Sequence, residues 1–93
     1  MRIRIKISFS KKIERQIEYI ARDSPSNARK FKNELITEIK KILPNPYKHR
    51  QSIYFKNKEI RDLVFKGYVI VFRINHQENA IEVFGFVKYE EKP

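Results

Sequence analysis

The densest apolar patterning in the chain runs from Glu59 to Lys88, EIRDLVFKGYVIVFRINHQENAIEVFGFVK. Turn-forming residues at Lys66-Gly67 and from Asn75 to Asn79 separate three apolar runs there, which predicts a three-stranded antiparallel meander. In the first strand, side chains alternating with period two put Arg61, Leu63 and Phe65 on one face and Ile60, Asp62 and Val64 on the other. The second, Tyr68 to Ile74, is apolar on both faces except at Arg73, so it is expected at the buried centre. The third, Ile81 to Val87, alternates less cleanly, and Gly85 within it marks a bulge or a close backbone approach. Arginine, lysine and tyrosine are therefore expected at the rims of a sheet.

Upstream, residues 2–9 (RIRIKISF) alternate strictly, with Ile3, Ile5, Ile7 and Phe9 on one side and Arg2, Arg4, Lys6 and Ser8 on the other. This reads as a half-buried strand whose outer row is basic, serving either to keep an edge soluble or to meet a polyanion. Ser10 is a candidate cap for a first amphipathic helix, Lys11 to Arg22, carrying Ile13, Ile17, Ile20 and Ala21. Asp23-Ser24-Pro25 breaks it, with Ser24 a candidate N-cap and Pro25 suited to the first turn of a second helix. Ala28, Phe31, Leu35, Ile39 and Ile42 or Leu43 form that helix's apolar stripe, until Pro44 ends it. A two-helix hairpin must cover its stripes, and the inner face of the sheet is the surface available. The fold class is accordingly α+β: an N-terminal strand, a helical hairpin packed on one face of the sheet, then the meander.

With 93 residues and 41% hydrophobic content, one domain spanning 1–93 is expected. Charge changes the picture more. The net charge is +10, a field that favours polyanions or an acidic protein partner. Residues 1–50 carry 14 Lys+Arg against 5 Asp+Glu, and residues 51–93 carry 7 against 6, so the excess lies in the N-terminal half. Absence of cysteine excludes a disulfide framework and thiolate zinc sites. The longest apolar runs fall far short of the roughly 20 residues of a membrane span. A charged N-terminus without an apolar core argues against a secretory signal, so a cytoplasmic protein is expected.

Residues 44–58, PNPYKHRQSIYFKNK, form the one long connection. Tyr47, Lys48, His49, Arg50, Tyr54, Lys56 and Lys58 interleave rings with cations, a composition suited to stacking on bases beside phosphate contacts or simply to a basic exposed loop. The two histidines, His49 and His76, fall in predicted loops and are expected to be exposed rather than catalytic. The acids are scattered, so no metal site is expected, and two glycines do not make a phosphate-binding loop.

The order of strand, two helices and meander resembles the RelE/ParE group, the toxins of bacterial type II toxin–antitoxin modules. The residues carrying the resemblance are Arg61 at the start of the first meander strand, Gly67-Tyr68-Val69-Ile70-Val71-Phe72-Arg73-Ile74, the final run from Ile81 to Pro93, and the helix exit Leu43-Pro44-Asn45-Pro46. The resemblance implies a growth-inhibiting protein neutralised by a cognate acidic antitoxin, needing no cofactor and acting either as a ribosome-dependent mRNA-cutting ribonuclease or as an inhibitor of DNA gyrase. Fold is shared by both, so the site must choose. Carried over by position, the ribonuclease branch implies catalytic roles for Arg61, Lys58 (or Lys56), Arg73, Lys88 and Tyr89, with Lys48, Arg50, Tyr54 and Lys56 binding nucleic acid. Many relatives place a histidine where this chain has Lys88, and a lysine with an ordinary pKa near 10.4 shuttles protons poorly at neutral pH. A degenerate, purely nucleic-acid-binding module is the remaining alternative.

Overall fold

In the computed structural model, which describes residues 1–88, the chain runs β1 (Arg2–Ile5), α1 (Ile7–Asp23), α2 (Pro25–Lys40), a 3₁₀ turn (Pro46–Lys48), β2 (Arg50–Gln51), β3 (Ile60–Phe65), β4 (Tyr68–Asn75) and β5 (Ala80–Lys88). The strands form one sheet in the order β1-β5-β4-β3-β2. Only the β1–β5 pairing is parallel. The architecture is α+β, as the patterning predicts.

The β3–β4 hairpin follows from its turn. Lys66 and Gly67 both take positive φ, 48° and 80°, the conformation of a two-residue turn whose twist matches that of the flanking strands. Such a turn fixes the register, pairing Phe65 with Tyr68 and Ile60 with Arg73. In β4, Val69, Ile70, Val71 and Phe72 are almost completely buried, as expected of the central strand. Gly85 stands opposite Val71, and a Cβ there would lie 2.9 Å from the valine Cβ. Both halves of the expectation hold: the backbones approach closely, and the register shifts by one residue at Val71/Phe72, leaving Phe84 as the extra residue of a bulge.

The bulge also explains where the first strand stops. β1 covers only Arg2–Ile5 and α1 starts at Ile7, which corrects the strand expected over residues 2–9. Lys6 N–H makes the last backbone hydrogen bond to β5, donating to the Val83 carbonyl at 2.9 Å. Beyond Val83 the bulge carries β5 away and β1 has no ladder to extend. The chain turns into helix instead, and the Ser8 hydroxyl donates to the Phe84 carbonyl at 3.1 Å. Ile7 is thereby exposed and Phe9 buried, with Phe9, Ile13, Ile17 and Ile20 forming one stripe of α1. Ser10 does not cap it; Lys6 occupies that position without a side-chain hydrogen bond. Ser24 does cap α2, its hydroxyl accepting from Asn27 N–H at 3.2 Å, and Pro25 occupies the first turn.

The helices cover one face of the sheet. Phe9, Phe31, Leu35, Ile39 and Ile42 pack on Leu63, Phe65, Ile70, Phe72, Ile74, Ile81 and Val83. α2 stops at Lys40 rather than at Pro44, its end tightening into three-residue bonds from Ile42 N–H to the Ile39 carbonyl and from Leu43 N–H to that of Lys40, and in the turn that follows Ile42 is the core residue and Leu43 lies outside. The opposite face carries a smaller cluster of Ile60, Val69 and Val71, flanked by Phe84 and Val87. Among the described residues no helix is long and apolar enough to cross a membrane.

Candidate functional site

The long connection is more ordered than a basic loop. Arg50–Gln51 pairs with Asp62 and Arg61 as a short edge strand, which the sequence pattern did not reveal. Segment 52–58 then folds over the open face. Ser52 N–H donates to Ile60 O at 2.8 Å, and the buried Asp62 carboxylate accepts from Ile53 N–H at 3.0 Å and from Arg50 at 3.3 Å. These bonds seat Phe55 edge-on against Phe84, with ring centroids 5.7 Å apart. Between them lies a groove of about 280 Å³ lined by Lys12, Tyr54, Phe55, Val71, Phe84 and Val87. Tyr54 and Phe55 also line a wide open cavity inside the segment, together with Lys56 and Lys58. Exposed Ile53 and Val64 extend this surface's apolar character.

Of the five residues assigned catalytic roles by resemblance, the four within the described residues do not form one cluster. Arg61 pairs with Phe72 and shares its face, whereas Arg73 is one position on and points to the other. Lys88 pairs with Tyr68 and Arg73 with Glu82, which separates the two cations by about 16 Å at 3.3 Å per residue. Tyr89 lies outside the described residues. Lys48, Lys56 and Lys58 are exposed. The pleat and the length of β4 thus hold Arg61, Arg73 and Lys88 apart.

Arg61 and Arg73 both have protein partners. Arg61 Nε donates to the Lys58 carbonyl at 2.8 Å and Nη1 to the His49 carbonyl at 3.0 Å, and its cation lies 4.8 Å from the centroid of the Tyr47 ring. It pairs with neither Asp62 nor Glu59 directly. On the open face, buried Glu82 binds Arg73 at 2.8 Å, Arg4 at 3.3 Å and Lys6 at 3.5 Å. Burial pushes the Glu82 carboxyl up, but the hydrogen bond and charge of Arg73, with further help from Asn75 and Lys6, more than reverse this and hold it below the ordinary value.

A carboxyl depressed on folding contributes stability that is present in full above its unfolded pKa and lost as pH falls through the folded one. Wild-type stability is therefore expected to decline below pH 4.5, the carboxyl's reference value. Glu82→Gln is expected to cost about 2 kcal/mol at pH 7, less than for a fully buried pair because its cations keep water contact. Urea melts of both proteins from pH 7 to pH 3 test this: the gap between them should narrow on acidification, and a gap constant with pH overturns the assignment.

Sequence reading missed one cluster. Tyr47 O–H donates to the Glu59 carboxylate. His76 Nε2 lies 2.7 Å from the tyrosine oxygen and 3.0 Å from Glu59 Oε2. The two rings stack with a 16° interplanar angle. The bond to Tyr47 is the main cause holding the Glu59 carboxyl below its ordinary value, and the bond to Glu59 is the main cause raising the Tyr47 hydroxyl. Glu59, His76, Asn57 and Arg73 line a cleft of about 220 Å³. One signal was available: a two-residue turn at Lys66-Gly67 sets Glu59 level with Ile74, two residues before His76. His76 is exposed as expected, whereas His49 is half-buried with its ring edge-on to Phe72 at 5.5 Å, and burial lowers its pKa.

A family model described as the ParE toxin of the type II toxin–antitoxin system, parDE, matches residues 3–92. The chain belongs to this toxin family. No curated protein matches it. Family membership makes the protein the toxin half of a toxin–antitoxin pair and gives it a cognate antitoxin as partner. For a toxin, the arrangement offers two chemistries: ring and cation contacts on the open face, and acid–base groups at the sheet end. Among the described residues no group of three or more acids or histidines is placed to hold a metal ion.

Proposed function

We propose that this toxin acts in the cytoplasm on RNA, cutting messenger RNA on the ribosome, and that an acidic antitoxin restrains it. The observation that carries the reading is the open-face groove, where Tyr54, Phe55 and Phe84 stand among Lys12, Lys56 and Lys58. Aromatic faces stack on unpaired bases irrespective of sequence, and the surrounding ammonium groups meet phosphates. Arg50 adds a cation beside the same segment. The net charge of +10 adds long-range attraction for RNA and for an acidic antitoxin alike.

Joint replacement of Tyr54 and Phe55 by alanine is expected to weaken binding of a single-stranded oligoribonucleotide by about 30-fold or more, from about 1–3 kcal/mol for each of two stacked bases, with a melting temperature lowered only slightly by loss of the Phe55–Phe84 contact. Expression of the toxin alone, with growth and primer extension on abundant mRNAs followed together, tests the activity. Cuts that the double variant lacks support it.

A second reading, inhibition of gyrase through protein contacts, draws on the partners of the sheet cations: Glu82 occupies Arg73, Arg4 and Lys6, and two carbonyls occupy Arg61. Growth arrest with intact mRNA and lost plasmid supercoiling would establish that reading instead.

A further inference from the structure

We infer that Glu59 and His76 are the general base and general acid of this toxin, working in the cleft beside Arg73 on a substrate that must carry a 2′-hydroxyl. The inference rests on the proposal that the protein cleaves RNA. It places the chemistry away from the end of β5, where Lys88 stands about 16 Å along the ladder from Arg73. Neither Glu59 nor His76 belongs to the set implied by the family resemblance.

Three observations support it. A carboxylate, an imidazole and a phenol meet within hydrogen-bond distance at Glu59, His76 and Tyr47. The site faces solvent, with the Glu59 and His76 side chains 38% and 59% exposed, and opens on a cleft that Arg73, Asn57 and Asn75 also line. Hydrogen bonds fix two of the three turns that carry the parts: Glu59 O accepts from Ile74 N–H at 2.7 Å, Glu59 N–H donates to Asn57 Oδ1 at 2.8 Å, and Arg61, stacked on Tyr47, donates to the His49 carbonyl beside the turn that carries the phenol.

The reaction balances within these groups. Ionised Glu59 takes the proton of the 2′-hydroxyl. The 2′-oxygen forms a bond to phosphorus while the bond from phosphorus to the 5′-oxygen breaks. Protonated His76 gives its Nε2 proton to that leaving oxygen. The products are a 2′,3′-cyclic phosphate and a 5′-hydroxyl, with no oxidant, reductant or added nucleophile. Developing charge on the phosphate is met by Arg73, which lines the cleft while also holding Glu82. Tyr47 is a positioning residue that keeps Glu59 ionised and aimed. The direct bond between Glu59 and His76 opens when a phosphodiester enters, as catalytic groups commonly rearrange on binding substrate.

The test uses the full-length toxin on ribosomes programmed with a short mRNA. Glu59→Gln and His76→Ala are each expected to lower kcat by about 10²–10³-fold. Affinity for a 2′-O-methyl mRNA should stay within a few-fold of wild type, and melting temperatures should be close to it. Substitution of sulfur for the 5′-oxygen at the cut site supplies a leaving group that needs no proton. It should restore His76→Ala to within about 10-fold of wild type and leave Glu59→Gln slow. A purely structural cluster gives no such selective rescue, and equal cleavage by wild type and variants overturns the inference while leaving RNA cleavage standing. Absence of cleavage by wild type overturns both.

Discussion

Phe72→Ala is expected to lower the free energy of unfolding by about 3–5 kcal/mol, the range for truncating a fully enclosed phenylalanine. Phe72 is 0% exposed and sits in the central strand, at the position where the β5 register shifts. Its ring belongs to the cluster formed by α1, α2 and the sheet, and the His49 ring meets it edge-on. Truncation removes contacts with both helices' layer and with the turn carrying Tyr47, and the bulge leaves the neighbouring backbone little freedom to collapse into the space. Domains of this size have only about 5–15 kcal/mol of stability, so the melting temperature should drop by about 15 °C or more. Circular dichroism during heating and urea titration measures this directly. A loss below about 1 kcal/mol would mean that the helices do not pack on β4 as described. Because the aromatic groove lies on the other face, RNA affinity of the folded fraction should be unchanged at low temperature.

Arg61→Ala is expected to abolish growth arrest and also to cost about 3 kcal/mol, from two charge-assisted hydrogen bonds to carbonyls. The resemblance assigns this arginine to phosphate; its bonds to Lys58 and His49 show that it also ties the long connection to β3. Loss of toxicity in the alanine variant is therefore ambiguous on its own. Arg61→Lys separates the two effects, since an ammonium keeps the charge but cannot span both carbonyls. If charge at the phosphate is what matters, the lysine variant keeps substantial toxicity despite a lowered melting temperature. If the clamp matters, toxicity follows stability in both variants, and tyrosine fluorescence should change as Tyr47 leaves the cation. Growth curves beside melting curves for the three proteins decide between these outcomes.

The discriminating power of such experiments depends on how the site was assembled, and much of that lay beyond pattern reading. Alternation identified the meander, and the turn at Lys66-Gly67 fixed its register, because a two-residue turn allows only one pairing of the flanking strands. The Ser24-Pro25 signal located the start of α2 for an equally local reason: a hydroxyl beside free helix N–H groups and a ring preset in φ. The first strand was misread past Ile5 because period-two alternation in RIRIKISF carries no information about where the partner strand departs. Phe9 also opens the helical stripe that continues through Ile13, Ile17 and Ile20, and the bulge at Phe84 decided between the two patterns.

Sites were less legible than elements. Cations that count as free in composition turned out to be engaged: Glu82 gathers Arg4 and Lys6 from the N-terminal segment and Arg73 from β4. Tyr47 could not be linked to Glu59 and His76 from the sequence, since a 3₁₀ turn after α2 has no register with the sheet. By itself the sequence determined the strands and helices of the core, the basic charge and the resemblance to the toxin family, because these depend on local periodicity and on sums over residues. Tertiary structure alone decided which carboxylate or carbonyl engages each arginine and which acid, phenol and imidazole meet, because those depend on the path of segments far apart in the chain.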